Sequence, residues 1–373
     1  MTLSIAQITS STYTGGASGT IRSGGTSFVA NLDASVVKAM TSTQVSGLSS
    51  TQINAMTSSE LQALNVSGID TAQISGISTA ALVNFTPAQI PALTTDQMVQ
   101  MLTGQLNALS SGQVSALQVE DLNAISPTTF SSLSTAQLNT LSILQMRSIS
   151  STNLQALTSS QLNGLNASQL QLISTGSVQN LLTSQVNSLS TTQMVNLTAA
   201  QIKGLTSTQL NSLSSTNLQA IETGDLQSLT TAQVQAISTA QISNLSSSQV
   251  TALTKSQVQS LTSAQLNQLS SAQVQAIEVS DLQAMTTGQI SNLSSTRLGY
   301  LTSTQVQSLT GGQLQSLKLA DLGTGQMGNL TANQVKSFTT SQINSLADAN
   351  TSVLQTISTT GVQSLSANVM VGL

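Results

Sequence analysis

The chain reads LTSTQLNS LSSTNLQA IETGDLQS LTTAQVQA ISTAQISN LSSSQVTA LTKSQVQS LTSAQLNQ LSSAQVQA from Leu205 to Ala276. This stretch repeats every eight residues with the pattern Leu, Ser/Thr, x, x, Gln, Leu/Val/Ile, x, x. A fixed period indicates a repeat architecture and has to be identified before secondary structure is assigned. We number each octad from one to eight, so that its first apolar residue is position one.

The octad register covers most of the 373-residue chain. It runs without interruption from Ile69 to Thr324, occupies a second block from Leu32 to Ala63, and recurs in pieces at both ends, giving about 42 octads. Positions one and six are apolar in all of them, whereas the other six positions vary among small polar residues. Two apolar residues per octad therefore form the predicted core.

These two positions exclude both a β-strand and a continuous helix. Positions one and six have opposite parity, so in a strand they would point to opposite faces. In an uninterrupted α-helix, eight residues turn through about 800°, and the apolar stripe would move by about 80° per octad. The chain must therefore break and restart its helix in every octad.

The signal for this restart lies at positions two and five. Position two is Ser, Thr, Asp or Asn in nearly all octads and position five is usually Gln, which together make the Ser/Thr-x-x-Gln capping box. The apolar residues at positions one and six are placed as a hydrophobic staple. Pro87 and Pro127 fall at position three, the first helical residue, where a missing amide hydrogen costs nothing. The pattern predicts that each helix begins at position two or three.

Helices this short need neighbours, because helices under about 12 residues are marginal in water. Stacking through positions one and six supplies those neighbours. The sequence therefore predicts an all-α solenoid of about 42 short capped helices, with a small Gly-rich β-like insertion near the N-terminus. Two octads per coil and three octads per coil are both compatible with the pattern.

Composition argues against catalysis and against several kinds of partner. Charged residues make up 5% of the chain, and both cysteine and histidine are absent. Disulfides, thiolate nucleophiles, imidazole bases and the commonest zinc ligands are therefore missing. The scattered basic residues offer no patch for nucleic acid, and no apolar run reaches the roughly 20 residues that cross a bilayer. We expect a structural protein without enzymatic activity, cofactor, metal or membrane insertion.

Residues 11–31, STYTGGASGTIRSGGTSFVAN, leave the octad register. Tyr13, Ile21 and Phe28 stand among paired glycines, which is typical of a β-hairpin or a loop. We expect this segment to join subunits, and the alternative is a flexible surface loop. Its counterpart at the other end of the chain is an apolar tail.

Two five-residue slips, Leu64–Gly68 and Gly325–Asn329, bracket the long regular block. We expect them to mark places where the solenoid changes direction. The predicted organisation begins with an N-terminal assembly element at residues 1–31 and a short octad block at residues 32–68. The main solenoid follows at residues 69–324, and an irregular C-terminal assembly end occupies residues 325–373.

Four octads lose the hydroxyl at position two and carry Asp at position five. They are Leu117–Asp121, Ile221–Asp225, Ile277–Asp281 and Leu317–Asp321. We expect the Asp to act as the N-cap of a shorter helix. The alternative is a cation site at Glu222/Asp225 or Glu278/Asp281, which would lack most of the six to eight oxygens that calcium takes.

The motif Leu-Thr/Ser-x-x-Gln-Leu/Val/Ile, as in Leu197–Ile202 and Leu261–Leu266, resembles the octad arrays of exported and surface-associated repeat proteins of bacteria. The resemblance implies a location outside the cell. The N-terminal sequence has neither a basic region nor a 7–15-residue apolar stretch, so we expect export without a cleaved Sec signal peptide.

The function expected from these features is that of a subunit of a self-assembling extracellular filament or surface layer, which would be a homopolymer. The open alternatives are a passive stalk or adhesin module and a hydroxyl face that binds polysaccharide or ice. A solenoid needs a polar cap at each end, and neither terminus supplies one. The expected head-to-tail interface consists of Tyr13, Ile21 and Phe28 on one subunit and Val369, Met370, Val371 and Leu373 on the next.

Overall fold

The structure is a computed structural model that describes residues 32–349, 352 and 355–365. Within these residues the backbone forms 38 α-helices, three 3-10 helices and no β-strand. The predicted all-α solenoid of short helices is therefore confirmed. The Gly-rich insertion predicted at residues 11–31 lies outside the described residues.

The chain divides into two compact units, Met1–Leu189 and Ser190–Leu373, and this division falls within the predicted regular block 69–324. The first unit contains α1 Ala34–Lys38, α2 Ser42–Ser46, α3 Ser50–Asn54, α4 Ser58–Ala63, α5 Thr71–Ile74, α6 Thr79–Leu82, α7 Thr95–Val99, α8 Thr103–Ala108, α9 Ser111–Ser115, α10 Val119–Ala124, α11 Pro127–Phe130, α12 Thr135–Leu138, α13 Ile143–Ser148, α14 Ser151–Ala156, α15 Ser159–Gly164, α16 Ala167–Leu172, α17 Thr175–Asn180 and α18 Thr183–Ser188, with 3-10 helices at Val66–Gly68 and Ile90–Ala92.

The second unit has the same construction. It contains α19 Thr191–Asn196, α20 Ala199–Gly204, α21 Ser207–Ser212, α22 Ser215–Ala220, α23 Thr223–Leu226, α24 Thr231–Ala236, α25 Thr239–Ser243, α26 Ser247–Ala252, α27 Lys255–Ser260, α28 Ser263–Leu266, α29 Ser271–Gln275, α30 Val279–Ala284, α31 Thr287–Ser291, α32 Ser295–Gly299, α33 Ser303–Ser308, α34 Gly311–Ser316, α35 Thr324–Gly328, α36 Ala332–Lys336, α37 Thr340–Ala349 and α38 Thr359–Ser364, with a 3-10 helix at Leu319–Asp321.

Most helices begin at position three and are capped by position two, as the octad that starts at Leu229 illustrates. The Thr230 hydroxyl accepts a hydrogen bond from the Gln233 amide at 3.2 Å. The Gln233 Oε1 in turn accepts one from the Thr230 amide at 2.9 Å. Both bonds of the predicted capping box are thus formed, and the predicted helix start is confirmed.

The core consists of positions one and six. From Leu32 through Leu346, the residues at these positions are between 0% and 8% exposed. In the last octad that the structure describes, Val362 at position six is 36% exposed. The predicted burial is therefore confirmed along the stack, and the C-terminal octad is less covered than the others.

One coil of the solenoid consists of three octads, or 24 residues. Each helix packs against the helix three positions further along the chain, as α24 does against α27 and α31 against α34. Most hydrogen bonds between stacked octads join residues 25 to 31 apart in sequence. Three octads per coil is therefore the correct alternative, and two is not.

The slip at Leu64–Gly68 is a shortened octad that keeps its place in the stack. Leu64 occupies position one and Val66, three residues before the next octad, occupies position six; both are buried. The three deleted residues leave only Asn65 between these positions, and a 3-10 helix over Val66–Gly68 replaces the α-helix. The next coil binds this unit as it binds a full octad, because Gln89 Nε2 donates to the Leu64 carbonyl at 2.8 Å.

The second slip lies at Leu317–Asp321 rather than at Gly325–Asn329, so the prediction was wrong there. Leu317 and Leu319 take positions one and six of the short unit, which holds the 3-10 helix Leu319–Asp321. A full octad then begins at Leu322, and its helix starts at Thr324. Leu322 lies five residues after Leu317, which is the spacing of positions one and six. By apolar spacing alone it therefore fits position six of the octad at Leu317 as well as position one of the next octad.

The two prolines at position three behave differently. Pro127 begins α11, as predicted. Pro87 lies in a turn, and a 3-10 helix over Ile90–Ala92 follows it. Because Pro91 has no amide hydrogen to donate to the Pro87 carbonyl, an α-helix cannot continue through this octad.

Candidate functional site: amide hydrogen bonds between the coils

The glutamine at position five joins each coil to the one before it. Gln105 is 3% exposed and its Oε1 accepts a hydrogen bond from the Leu102 amide at 2.8 Å. Its Nε2 donates to the carbonyl oxygens of Ile74 at 2.6 Å and Ile77 at 2.7 Å, one coil earlier. One side chain therefore satisfies a helix N-terminus and two backbone acceptors of a neighbouring coil.

We call the repeated set of these contacts the glutamine ladder. In every member, Nε2 donates to the position-one carbonyl of the coil before. Within the first unit it includes Gln73, Gln89, Gln97, Gln105, Gln113, Gln137, Gln145, Gln161, Gln169 and Gln185. Within the second unit it includes Gln233, Gln241, Gln249, Gln257, Gln265, Gln273, Gln289, Gln305, Gln313, Gln334 and Gln342.

The spacing within one octad predicts only a local capping role for the glutamine and not this contact between coils. The signal was present in the choice of residue. Glu completes a capping box as well as Gln does, yet position five is Gln in most octads and Glu only at Glu60. Only Gln also carries the N–H groups that a neighbouring carbonyl needs.

Glu60 shows what a carboxylate does at position five. It is 2% exposed, and its Oε2 accepts from the Thr57 amide at 2.5 Å and the Thr57 hydroxyl at 2.7 Å. Its other oxygen, Oε1, is buried without a hydrogen-bond partner. The capping function survives in Glu60, and the donation to the preceding coil is lost.

A second set of amide bonds runs in the opposite direction, from position seven to the following coil. Asn139 Nδ2 donates to the Gly164 carbonyl at 2.8 Å, and its Oδ1 accepts from the Asn166 amide at 2.9 Å. Position-seven side chains that donate forward in this way include Asn54, Asn123, Gln155, Asn163, Asn211, Gln219, Gln227, Gln259, Asn267, Gln283, Gln307 and Gln315.

The position-seven asparagines also replace a missing capping box. Ala81 and Arg297 occupy position five and offer no acceptor to their own N-cap amides. In these octads Asn54 Oδ1 accepts from the Ser78 amide at 2.7 Å, and Asn267 Oδ1 accepts from the Ser294 amide at 2.8 Å. In the octad of Asn153, Asn123 does the same for Ser150. A neighbouring coil thus completes a cap that the octad itself cannot form.

The octads with Asp at position five do not begin their helices after the Asp, contrary to the prediction. The residues at the N-cap of α10, α23 and α30 are Gln118, Glu222 and Glu278, and the Asp of each helix is its third residue. The prediction of an alternative Asp cap is wrong for these three. Leu317–Asp321 is the five-residue unit described above, in which Lys318 is the N-cap residue.

These aspartates stand where a glutamine would donate to the coil before. Burial raises the pKa of the Asp121 carboxyl, and the charge of Glu120 raises it further. The same two causes, burial and then a neighbouring glutamate, raise the pKa of Asp225 and of Asp281. A carboxyl group at position five should be costly to ionise, because the groups that position five meets in the preceding coil are carbonyl oxygens and not hydrogen-bond donors.

The predicted cation sites have few ligands. Among the residues that the structure describes, no three acidic side chains come together to hold a metal ion. The charge of Lys255 lowers the pKa of Asp281, and this is the smallest of the four effects on that pKa. Glu222/Asp225 and Glu278/Asp281 are therefore two-carboxylate pairs.

The seven residues predicted to form the assembly interface lie outside the described residues. Tyr13, Ile21 and Phe28 precede the described residues, and Val369, Met370, Val371 and Leu373 follow them. The described helices include none that is both long enough and apolar enough to span a membrane.

Three segments of the chain match the family model of the ALTTAQ repeat. They are residues 66–103, 218–255 and 274–311, and they lie within the octad array. No curated protein matches the chain. The comparisons support a repeat protein, in agreement with the fold.

Proposed function

We propose that this protein is a structural subunit of an extracellular filament or surface layer and that its copies join head to tail through their ends. The proposal includes the absence of enzymatic activity and export without a cleaved Sec signal peptide. It rests on the direction of the hydrogen bonds between coils.

Each coil has two chemically different sides. Toward the preceding coil it offers the Nε2 donors of position five, as Gln249 does to the carbonyls of Leu218 at 2.8 Å and Ile221 at 3.0 Å. Toward the following coil it offers those backbone carbonyls and the amide donors of position seven, as Gln227 does to Ala252 at 2.8 Å. The two sides complement each other.

Two copies of the same side do not match. If two preceding sides met, the glutamine donors would not meet the carbonyls of positions one and six that accept from them within the chain; if two following sides met, those carbonyls would not meet glutamine donors. Burying such groups without partners costs free energy. A head-to-tail contact extends the existing hydrogen-bond pattern and is heterologous, so it forms an open filament unless its rotation closes a ring.

Electron microscopy of the purified full-length protein tests this proposal. We expect rods whose length grows with protein concentration, and deletion of residues 11–31 should leave a folded helical protein that no longer elongates. Rods of one fixed length at every concentration would instead indicate a passive stalk. Normal filaments from the deletion variant would refute the assigned joint.

A further inference from the structure

One stripe of the surface in the first unit differs from the rest. Helices α7, α10 and α13 occupy the same place in three successive coils, and α10 contacts both of the others. Their outer sides carry Val99, Ile143 and Leu144, which are 53%, 58% and 71% exposed, and the partly exposed Val119. Most other octads place Ser, Thr, Ala or Gln at the corresponding positions three, four and seven.

These apolar side chains lie on the outer sides of stacked helices because of the helical spacing. Positions three and four lie beside position seven on the same outer side of a helix, since residues three and four apart are neighbours. Stacking of the helices then repeats this outer side across three coils. We call this set of residues on α7, α10 and α13 the apolar stripe. An exposed apolar surface of this kind on a polar protein is typical of an interaction site.

The stripe carries charges of opposite sign at its two ends. Asp96 lies on α7 at position four, three residues from Val99, and Arg147 lies on α13 at position seven, beside Ile143 and Leu144. Glu120 lies on the central helix α10. All three charged side chains are exposed. The stripe is therefore acidic at its first helix and basic at its third, in a chain with only 5% charged residues.

We propose that the apolar stripe binds the same stripe of a second copy of this chain, side by side and in opposite directions. A two-fold axis between the α10 helices of the two copies would bring Arg147 of each copy onto Asp96 of the other and would cover Ile143 and Leu144. Glu120 would face its own copy in this arrangement and in a parallel one alike, so Asp96 and Arg147 decide between them. A parallel arrangement would place acid on acid and base on base, which disfavours it. The contact is isologous, so it ends at a pair.

This lateral pairing goes beyond the proposed head-to-tail joint and does not use the chain termini. Three short helices bury less than the roughly 800 Å² per partner of a standard interface, so a single pair should be weak. In a filament the same contact would recur along the length, and many weak contacts then act together. Lateral pairing would join two antiparallel filaments side by side.

Charge reversal with full-length protein tests the geometry. In sedimentation velocity, Arg147→Glu or Asp96→Arg alone should weaken self-association about tenfold, as expected for like charges placed together. The double variant should recover to within about threefold of the parent. Association of the double variant that is no stronger than that of the single variants would overturn the antiparallel arrangement.

Two pairs of variants test the apolar contribution and the axis. Ile143→Ser with Leu144→Ser should abolish pairing, whereas Val195→Ser, at another exposed valine, should not. Because the chain has no cysteine, Val119→Cys should form a disulfide with its own copy near the axis under mild oxidation. Val279→Cys, at the same octad position on α30, should not.

Circular dichroism must show the parental helix content for each variant. If Val279→Cys cross-links as readily as Val119→Cys, the stripe has no special role. The Val119→Cys cross-link should also persist in the variant that lacks residues 11–31, so failure of the lateral contact and failure of the end-to-end joint give different results.

Discussion

Gln257 Nε2 lies 2.9 Å from the carbonyl oxygen of Leu229, three octads earlier in the chain. The same nitrogen is 3.0 Å from the Leu226 carbonyl, and Gln257 Oε1 accepts from the Thr254 amide at 2.9 Å. The side chain is 2% exposed. A residue that looks like a local cap is therefore also a link between coils.

Replacement of this glutamine should cost more than the loss of a cap. We expect Gln257→Ala to reduce the free energy of unfolding by about 1–3 kcal/mol, because buried acceptors lose their donor. Gln257→Glu should be worse at neutral pH, since it places a carboxylate against the carbonyl oxygens of Leu226 and Leu229. Denaturant unfolding followed by circular dichroism measures both effects.

Gln259→Ala is the matched control on the same helix. Gln259 is exposed and makes a forward bond of 2.6 Å to the Ala284 carbonyl. Water can replace that bond, so the change should cost about 0.5 kcal/mol or less. Equal losses for Gln257→Ala and Gln259→Ala would contradict the role of the buried ladder.

Leu229→Ala tests the core. Leu229 is 4% exposed at position one, and truncation of a buried leucine costs about 2–5 kcal/mol. Because each coil contacts only its neighbours, the damage should remain local. Hydrogen exchange should show faster exchange in the octad of Leu229 and in the coils next to it, with distant octads unchanged. Uniform loss of protection along the whole chain would contradict nearest-neighbour packing.

The position-five aspartates make stability depend on pH. The pKa of Asp281 is raised from the model-compound value of 3.8, first by burial and then by Glu278. The folded state therefore disfavours the charged form of Asp281, which lowers the stability of the protein at neutral pH. This loss of stability is recovered as pH falls through the folded-state pKa of Asp281, which lies above 3.8. Asp281→Asn should melt at a higher temperature than the parent at pH 7, and the difference should shrink on acidification.

Asp33→Asn is the control of opposite sign. Hydrogen bonds from Ser35 lower the pKa of Asp33, which caps α1. Its contribution is present at neutral pH and is lost as pH falls through a folded-state pKa that lies below 3.8. Asp33→Asn should therefore not melt at a higher temperature than the parent at pH 7. A gain in both variants would point to net charge rather than to the local environment.

A close approach between coils makes Gly164 sensitive to substitution. A Cβ at this position would clash with Thr135 Cγ2 in the preceding coil. We expect Gly164→Ala to destabilise by about 1–3 kcal/mol, as overpacking does, and Thr135→Ser to relieve part of this loss by removing the methyl group. Thermal unfolding of the single and double variants measures the coupling.

Gly176→Ala gives the comparison without a clash. It lies in α17, and an added Cβ would have no neighbour within 4 Å. Ala is favoured over Gly in a helix by about 0.5–1 kcal/mol, so this variant should be more stable than the parent. Destabilisation by both glycine changes would show that the close contact at Thr135 is not the cause.

The sequence predicted what depends on local geometry. The apolar positions one and six, the helix start at position three and the capping box all follow from contacts within an octad, and Pro127 confirmed the register. It did not predict what depends on the neighbouring coil. This includes the number of octads per coil, the hydrogen bonds from Gln257 Nε2 to the preceding coil, and the caps completed by Asn54 and Asn267. Those contacts join residues more than 20 positions apart, and no spacing within one octad encodes them.

Two local features were also misread, each for a physical reason. The five-residue unit at Leu317–Asp321 keeps the apolar spacing that the core needs, so Leu322 fitted two positions equally well. The aspartates at positions 121, 225 and 281 have the side chain of a good N-cap, but the staple at positions one and six fixes the start of the helix before they are reached. Packing of the apolar pair therefore decided both cases.

Three octads per coil make the side of the solenoid on which a residue lies depend on the number of octads before it. Residues 24 apart share one side of the solenoid, so adding or deleting a single octad would leave every core position intact and rotate everything after it by about a third of a turn. Loss of one octad between Asp96 and Arg147 would separate these two charges onto different sides, although the protein would still fold. Lengthening by three octads at a time would preserve every surface pattern, whereas the five-residue units shorten a coil without moving later residues to another side.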